Sequence, residues 1–419
     1  MNQDQPALAR RLGTGDAVVV GLSAMIGAGV FSVFAPAAEA AGSLLLVGLG
    51  IAAVVAFCNA VSSAQLAQAY PTSGGTYVYG REVLGPWWGF VAGWGFVVGK
   101  TASCAAMAMT FAAYAVPGSG WWERGAAVAA VVLLTVANLR GVTRTATVAR
   151  VLLGLTLLTL LVALAVSYSD GRVAGDPWAG GGALGVLQSA GLLFFAFAGY
   201  ARIATLGEEV RRPELLGRAI LIALGVAVAL YAAVGVALLL VLGERIPDSS
   251  TPLATAVDTV GAAWAEPVVR VGAAAASLGA LLALLAGVGR TSLAMARERD
   301  LPRTLAHVHP AHRVPDHAQV AIAVAIIGLV LVADLRGAIG FSSCGVLVYY
   351  AVANLAALRQ PPEQRRWPRA INVLGLVGCV TLVVTLPAVS VIGGLGVLAL
   401  GVLGRWVMLV SRTGRPGNM

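Results

Sequence analysis

The stretch GLSAMIGAGVF, Gly21–Phe31, decides how the chain is read. It lies in the first long apolar run and carries Gly27 and Gly29 two residues apart. Glycine weakens a helix by roughly 1 kcal/mol relative to alanine. Small residues also let membrane helices approach closely, a role that suits Gly21 and Ala28. Glycines two apart do not share a helix face, so the sharper reading is a helix unwound at Ile26–Gly29. Unwound backbone at membrane depth is tolerated only where it lines a cavity or is buried in protein. A half-helix N-terminus there attracts a carboxylate, and loose carbonyls attract an ammonium or a cation. Carboxylate and ammonium together describe a zwitterion.

Composition sets the surroundings of this stretch. Only 11% of the 419 residues are charged, against about 25% in a soluble globular chain, and the mean hydropathy is +0.85. A membrane span needs about 20 mainly apolar residues. Such runs fall near 15–36, 43–66, 87–115, 123–139, 148–168, 184–206, 218–243, 261–289, 317–334, 338–358, 370–387 and 389–410. The sequence therefore predicts an all-α membrane protein with twelve transmembrane helices. The first run is too long for a cleaved leader and lacks a cleavage site. With the N-terminus placed in the cytoplasm, 21 of the 28 basic residues fall inside and 5 outside, with Lys100 and Arg202 left within spans. That bias obeys the positive-inside rule and predicts two cytoplasmic termini in a cytoplasmic (inner) membrane. The net charge of +9 then reports orientation and gives no reason to expect nucleic acid. Cys58, Cys104, Cys344 and Cys379 lie in apolar runs without metal or redox spacing. All extramembrane loops are short and no GxxxxGK[ST] motif occurs. Transport, if that is the task, must run on a gradient.

Transporters with inverted repeats place a second broken helix at the matching position of the other half. That position is the sixth span, LLFFAFAGYARIATLGEEVRRP, Leu192–Pro213, where Gly199 and Tyr200 follow Phe195 and Phe197 and a charged exit comes next.

Four stretches resemble motifs of the amino acid–polyamine–organocation (APC) superfamily. These are IGAGVF in span 1, YPTSGGTYVYGREVLGPWWGFVAGW at Tyr70–Trp94, FFAFAGYARIATLGEEVRRP in span 6, and GRTSLAMARERDLPRTLAHVHP at Gly289–Pro310. The resemblance covers ten spans; the last two match in hydrophobicity alone. It implies a LeuT-like fold. The first five-helix repeat would span 15–168 and its inverted partner 184–358, with two extra helices at 370–410 and tails at 1–14 and 411–419. It also implies secondary transport of amino acids or related amines. Carried over by position, the substrate carboxylate would meet the N–H groups of Gly27, Ala28 and Gly29. Its amino group would meet carbonyls of Met25 and Ile26 and of span 6 near Phe195, Ala196 and Ala198. Phe195 or Phe197 would be the aromatic lid, with Tyr200 next in line.

The sequence departs from the family in two places. Many relatives carry a lysine in span 5 linked to proton coupling, but here that place holds Thr156. The sole lysine of the chain is Lys100, near the middle of span 3, and no Asp or Glu lies at mid-depth to pair with it. An unpaired buried ammonium is costly, and a lysine able to shed its proton is a natural proton carrier. The alternatives are a lysine in a wet vestibule or one snorkelling to the interface. Lys100 is thus a candidate for proton coupling or for the side-chain pocket. The second departure is Ala201, followed by Arg202, where many relatives place an acid. A positive cavity favours neutral or acidic amino acids over cationic ones.

His307, His309, His312 and His317 cluster after span 8, but no metal site is expected there, because nothing in the sequence fixes their geometry. Ser277 and Thr291 are candidate linings of a cation site. No cofactor and no enzymatic constellation are expected. The expected function is proton-coupled import of a neutral or acidic amino acid by alternating access in a lipid bilayer. An exchanger or efflux carrier is the alternative within transport, and a non-transporting amino-acid sensor is the alternative outside it.

Overall fold

The structure is a computed structural model that describes residues 13–70, 74–116, 118, 120–141, 146–169, 180–200 and 216–413. Arg202, Glu208 and Glu209 lie outside them. Among the described residues the secondary structure is helical, with no strand. The longer elements are α1 (Thr14–Met25), α2 (Ala28–Ser32), α3 (Phe34–Ala41), α4 (Leu45–Ala69), α5 (Gly75–Leu84), α6 (Pro86–Ala115), α7 (Trp121–Leu139) and α8 (Ala146–Ser169). They continue with α9 (Ala183–Phe197), α10 (Leu216–Val241), α11 (Pro252–Thr259), α12 (Ala265–Arg297), α13 (Asp316–Val332), α14 (Leu335–Arg359), α15 (Arg369–Thr385) and α16 (Ala388–Thr413).

Nine stretches among the described residues are long and apolar enough to cross a membrane, and α9, α13 and α15 are shorter apolar helices of 10–17 residues. Each of the twelve apolar runs overlaps one of these elements, and residues 201–206 of the sixth run lie outside the described residues. The protein is a multi-pass membrane protein.

The most buried of the long helices is α6, 89% of its apolar window being covered by protein, whereas α16 has only 22% covered. Hydrophobicity does not drive helices together in lipid, so close contact between small residues must. At the crossing of α6 and α14, a methyl group on Gly345 would stand 2.7 Å from the Gly95 carbonyl oxygen and one on Gly99 would stand 2.9 Å from that of Ser342. Ser103 and Ser342 share a hydrogen bond of 2.6 Å beside the crossing.

Buried polar side chains join the helices elsewhere. Between α4, α14 and α15, Ser62 donates to Asn354 Oδ1 at 2.7 Å, Asn354 donates to Asn59 Oδ1 at 2.6 Å and Asn372 donates to Ser62 Oγ at 2.6 Å. Asp300, just past α12, is almost fully buried. It accepts from Tyr77 at 2.8 Å and pairs with Arg81 at 3.1 Å and with Arg405 of α16 at 2.8 Å. The Arg405 guanidinium also lies 4.7 Å from the Trp87 ring centre and 4.8 Å from that of Phe90. Breaking such a buried pair from one side costs about 3–5 kcal/mol. The sequence motif around Tyr70–Trp94 is thereby explained as the seat of this ion cluster, which fixes α5 against the ends of α12 and α16.

Candidate functional site

The first run breaks within the expected stretch, but only over Ile26–Gly27; Ala28 and Gly29 are already helical. Helix α1 stops at Met25, Ile26 leaves helical geometry at φ −83° and ψ 67°, Gly27 follows at φ −121° and ψ −137°, and α2 starts at Ala28. The Gly27 N–H folds back onto the Met25 carbonyl at 2.9 Å. Ala28 and Gly29 open the second half-helix, and the first N–H groups of a helix have no partner within it. Neither N–H donates to another group among the described residues.

Helix α9 ends at Phe197 and passes through a turn at Ala198–Tyr200. The course of the chain beyond this turn lies outside the described residues until Leu216.

These two interruptions face each other backbone to backbone. A methyl group built on Gly29 would stand 2.9 Å from Ala196 Cα, and one on Gly199 would stand 2.3 Å from the Ala24 carbonyl oxygen. A methyl group on Gly27 would meet Ala280 Cβ of α12 at 3.0 Å. The structure therefore brings together Met25, Ile26, Gly27, Ala28 and Gly29 with Phe195, Ala196, Phe197, Ala198 and Tyr200, all of them buried, the break included. The Phe197 ring packs on Tyr231 with centroids 5.0 Å apart, and Tyr200 stacks on Tyr350 at the same separation.

Of the carbonyls assigned to an incoming ammonium, those of Met25, Phe195, Ala196 and Ala198 already have donors. The Tyr231 hydroxyl of α10 reaches Met25 O at 2.8 Å and Ala196 O at 3.1 Å, bridging both breaks. Lys100 Nζ donates to Ala198 O at 3.1 Å, and the Tyr350 hydroxyl lies 3.5 Å from the same oxygen. Phe195 O accepts the Ala198 N–H at 3.4 Å. Lys100 is buried, and its partner is a neutral carbonyl at the very break the sequence singled out.

Tyr231, Tyr350 and the asparagines of α4, α14 and α15 were not singled out in the sequence. Each sits in an apolar run, and its hydrogen-bond partner across the bundle is far along the chain. Other candidates are spent locally. Thr156 donates to Leu152 O at 2.7 Å, Ser277 to Ala273 O at 2.8 Å and Thr291 to Gly287 O at 3.2 Å, all four residues back on their own helices.

A discontinuous helix meeting the end of another inside a bundle of membrane-length helices is a construction found in secondary transporters. The sequence profile of the amino acid permease family matches residues 12–402, and the chain belongs to that family, within the APC superfamily. It is a transporter and not an enzyme. Similar proteins include an uncharacterized transporter of Mycobacterium tuberculosis, 53% identical over 408 residues that cover 94% of this chain and 90% of the relative. The branched-chain amino acid permease of Bacillus subtilis is 25% identical over 95% of this chain and 93% of its own length. The cationic amino acid transporter 4 of Homo sapiens is 27% identical over 83% of this chain and 59% of its own length.

Proposed function

We propose that the protein imports a neutral or acidic amino acid with a proton, by alternating access around the paired breaks. The fold in this reading is LeuT-like. Twelve spans form two inverted repeats, 15–168 and 184–358, with two further helices and both termini in the cytoplasm. The observation that carries it is the meeting of the α1–α2 break with the α9 turn at Gly29–Ala196 and Gly199–Ala24. The breaks start the two repeats, as the inverted-repeat construction requires.

In this reading the substrate carboxylate takes the N–H groups of Ala28 and Gly29, with Gly27 beside them. Its ammonium takes the Met25 and Ala196 carbonyls now held by Tyr231, so that hydroxyl stands in for it while the site is closed. Phe197 or Phe195 covers the substrate, with Tyr200 behind. Lys100 carries the coupled proton or faces the substrate side chain. Two like charges 4 Å apart repel by about 4 kcal/mol at an effective dielectric near 20. A second ammonium on the substrate near Lys100 is therefore disfavoured, which separates this chain from the relative whose name specifies cationic amino acids.

The deciding experiment is uptake of a labelled amino-acid mixture into proteoliposomes with an inward proton gradient and an empty lumen. Accumulation abolished by a protonophore supports symport, and the retained label names the substrate. Uptake only into preloaded vesicles, indifferent to the protonophore, replaces import with exchange.

Tyr231→Phe tests the stand-in role. Removing the hydroxyl strips a donor from two buried carbonyls, and leaving such a group unsatisfied costs about 1–3 kcal/mol. The substrate-free variant should unfold at a lower temperature, and added substrate should raise that temperature by more than in the wild type. An unchanged substrate-induced shift refutes the stand-in role. All four cysteines are buried, so a thiol-reactive fluorophore reports the unfolding.

A further inference from the structure

Helix α7 matches the thickness of a bilayer, its 19 residues rising about 1.5 Å each to about 28 Å against a hydrocarbon core of about 30 Å. Trp121 and Trp122 stand exposed at its start, as tryptophans do at a membrane surface. Arg140 follows its last residue, Leu139, at the other end. Both ends of α7 therefore lie at headgroup level. Beside Arg140, a cavity of about 360 Å³ opens between the end of α7, the start of α13 and the loop that joins α12 to α13.

The cavity has two unlike sides. Val136, Leu139 and Val320 form an apolar wall, and Val136 and Val320 are themselves exposed. Only 28% of the apolar window of α7 is covered by protein, so this wall runs on into lipid-facing surface. Arg140 and His309 form the polar side, with His312 stacked on His309. The Arg140 side chain is exposed and has no ion-pair or hydrogen-bond partner among the described residues. The Nδ1 of His309 accepts the Ala311 and His312 N–H groups at 3.3 Å each. The neutral ring therefore carries its proton on Nε2 and offers it as a donor. Asp316 is the one acid among the lining residues. Its Oδ1 is already engaged by the His307 ring at 2.7 Å and by the His317 N–H at 2.9 Å, so less of its charge opposes an anion.

We propose that this cavity binds an anionic phospholipid, with the phosphate on Arg140 and His309 and the acyl chains starting along Val136 and Val320. Charge complementarity selects the occupant. Basic pockets between membrane helices take anionic lipid headgroups, and a guanidinium meets a phosphate through two parallel hydrogen bonds. The arginine stem lies along apolar surface while its head reaches the headgroup layer. A soluble anion would use the polar side alone and leave the valines bare. The inference requires only that α7 and α13 cross the bilayer, and it is independent of substrate and coupling ion. A bound lipid would tie the end of α7 to the start of α13.

The test is native mass spectrometry of the full chain in a neutral detergent, titrated with dioleoyl phosphatidylglycerol or with dioleoyl phosphatidylcholine. The anionic lipid is expected to stay bound at concentrations where the zwitterionic one does not. Arg140→Gln should weaken phosphatidylglycerol binding about fivefold, the worth of one basic residue near an anionic surface, and leave phosphatidylcholine unchanged. Arg140→Lys should keep most of the preference. Arg124→Gln, at the other end of α7, is the control and should change nothing. Unfolding temperature in lipid-free detergent checks that each variant is folded. Equal retention of the two lipids, a preference that survives Arg140→Gln, or an equal loss in Arg124→Gln overturns the site. Displacement of phosphatidylglycerol by excess inorganic phosphate at constant ionic strength overturns it too, by assigning the cavity to a soluble anion.

Discussion

Lys100→Gln is expected to abolish proton-driven accumulation while leaving the folded protein able to bind substrate. The Lys100 ammonium holds the Ala198 carbonyl across the contact between α6 and the end of α9. Glutamine keeps a donor for that oxygen but cannot carry a proton. Proton and substrate influence each other through a coupling free energy, which for linked sites amounts to about 5–150-fold in affinity. In a symporter the protonated form binds substrate better, so wild-type affinity falls as pH rises through the titration of Lys100. In Lys100→Gln, substrate affinity measured from acidic to alkaline pH should be flat over that range. Lys100→Arg should also be flat, because guanidinium keeps its proton at all accessible pH values. Gradient-driven accumulation in Lys100→Gln with its pH dependence and substrate preference intact would remove Lys100 from both the coupling and the pocket. If the protein is instead an exchanger, counterflow into preloaded vesicles survives Lys100→Gln.

The difference between what the sequence tells and what it hides follows from distance along the chain. The break at Ile26–Gly27 is local. Two glycines two residues apart weaken the same turn, and α1 ends where they begin. The apolar runs are local too, so each overlaps a helix among the described residues. Lys100 donates to a main-chain oxygen 98 residues away, which carries no side-chain signature. Tyr231 is separated from Met25 by 206 positions. A tyrosine in an apolar run looks like any core aromatic, and only the fold shows that its hydroxyl bridges the end of α1 and the end of α9. The Asn354 contacts with Asn59 and Ser62 span 295 and 292 positions and were equally hidden. Asp300 sits in the charged run RERD, which reads as a solvated loop. It is buried because Arg81, Arg405 and Tyr77 come to it from three other elements.

Gly199→Ala is expected to reduce transport on the order of a hundredfold, the loss that a misplacement of about 1 Å causes where groups must be held in register. The added methyl would stand 2.3 Å from the Ala24 carbonyl oxygen, 2.4 Å from its carbon and 2.6 Å from the Met25 nitrogen. All three are main-chain atoms, so no side chain can rotate away and the two breaks must separate. Separation also stretches the Tyr231 bridge, because its two acceptors, Met25 O and Ala196 O, sit on opposite sides of the contact. Gly225, on α10, is the control, since a methyl group there meets nothing within 4 Å. Gly225→Ala should leave transport unchanged and add helix propensity. Substrate binding and uptake, measured on both variants at equal expression in proteoliposomes, separate the outcomes. Loss in Gly199→Ala with Gly225→Ala intact places the function at the contact between the breaks. Equal activity in both would mean that the breaks need not touch for the transporter to work, and the substrate path would have to be sought elsewhere in the bundle.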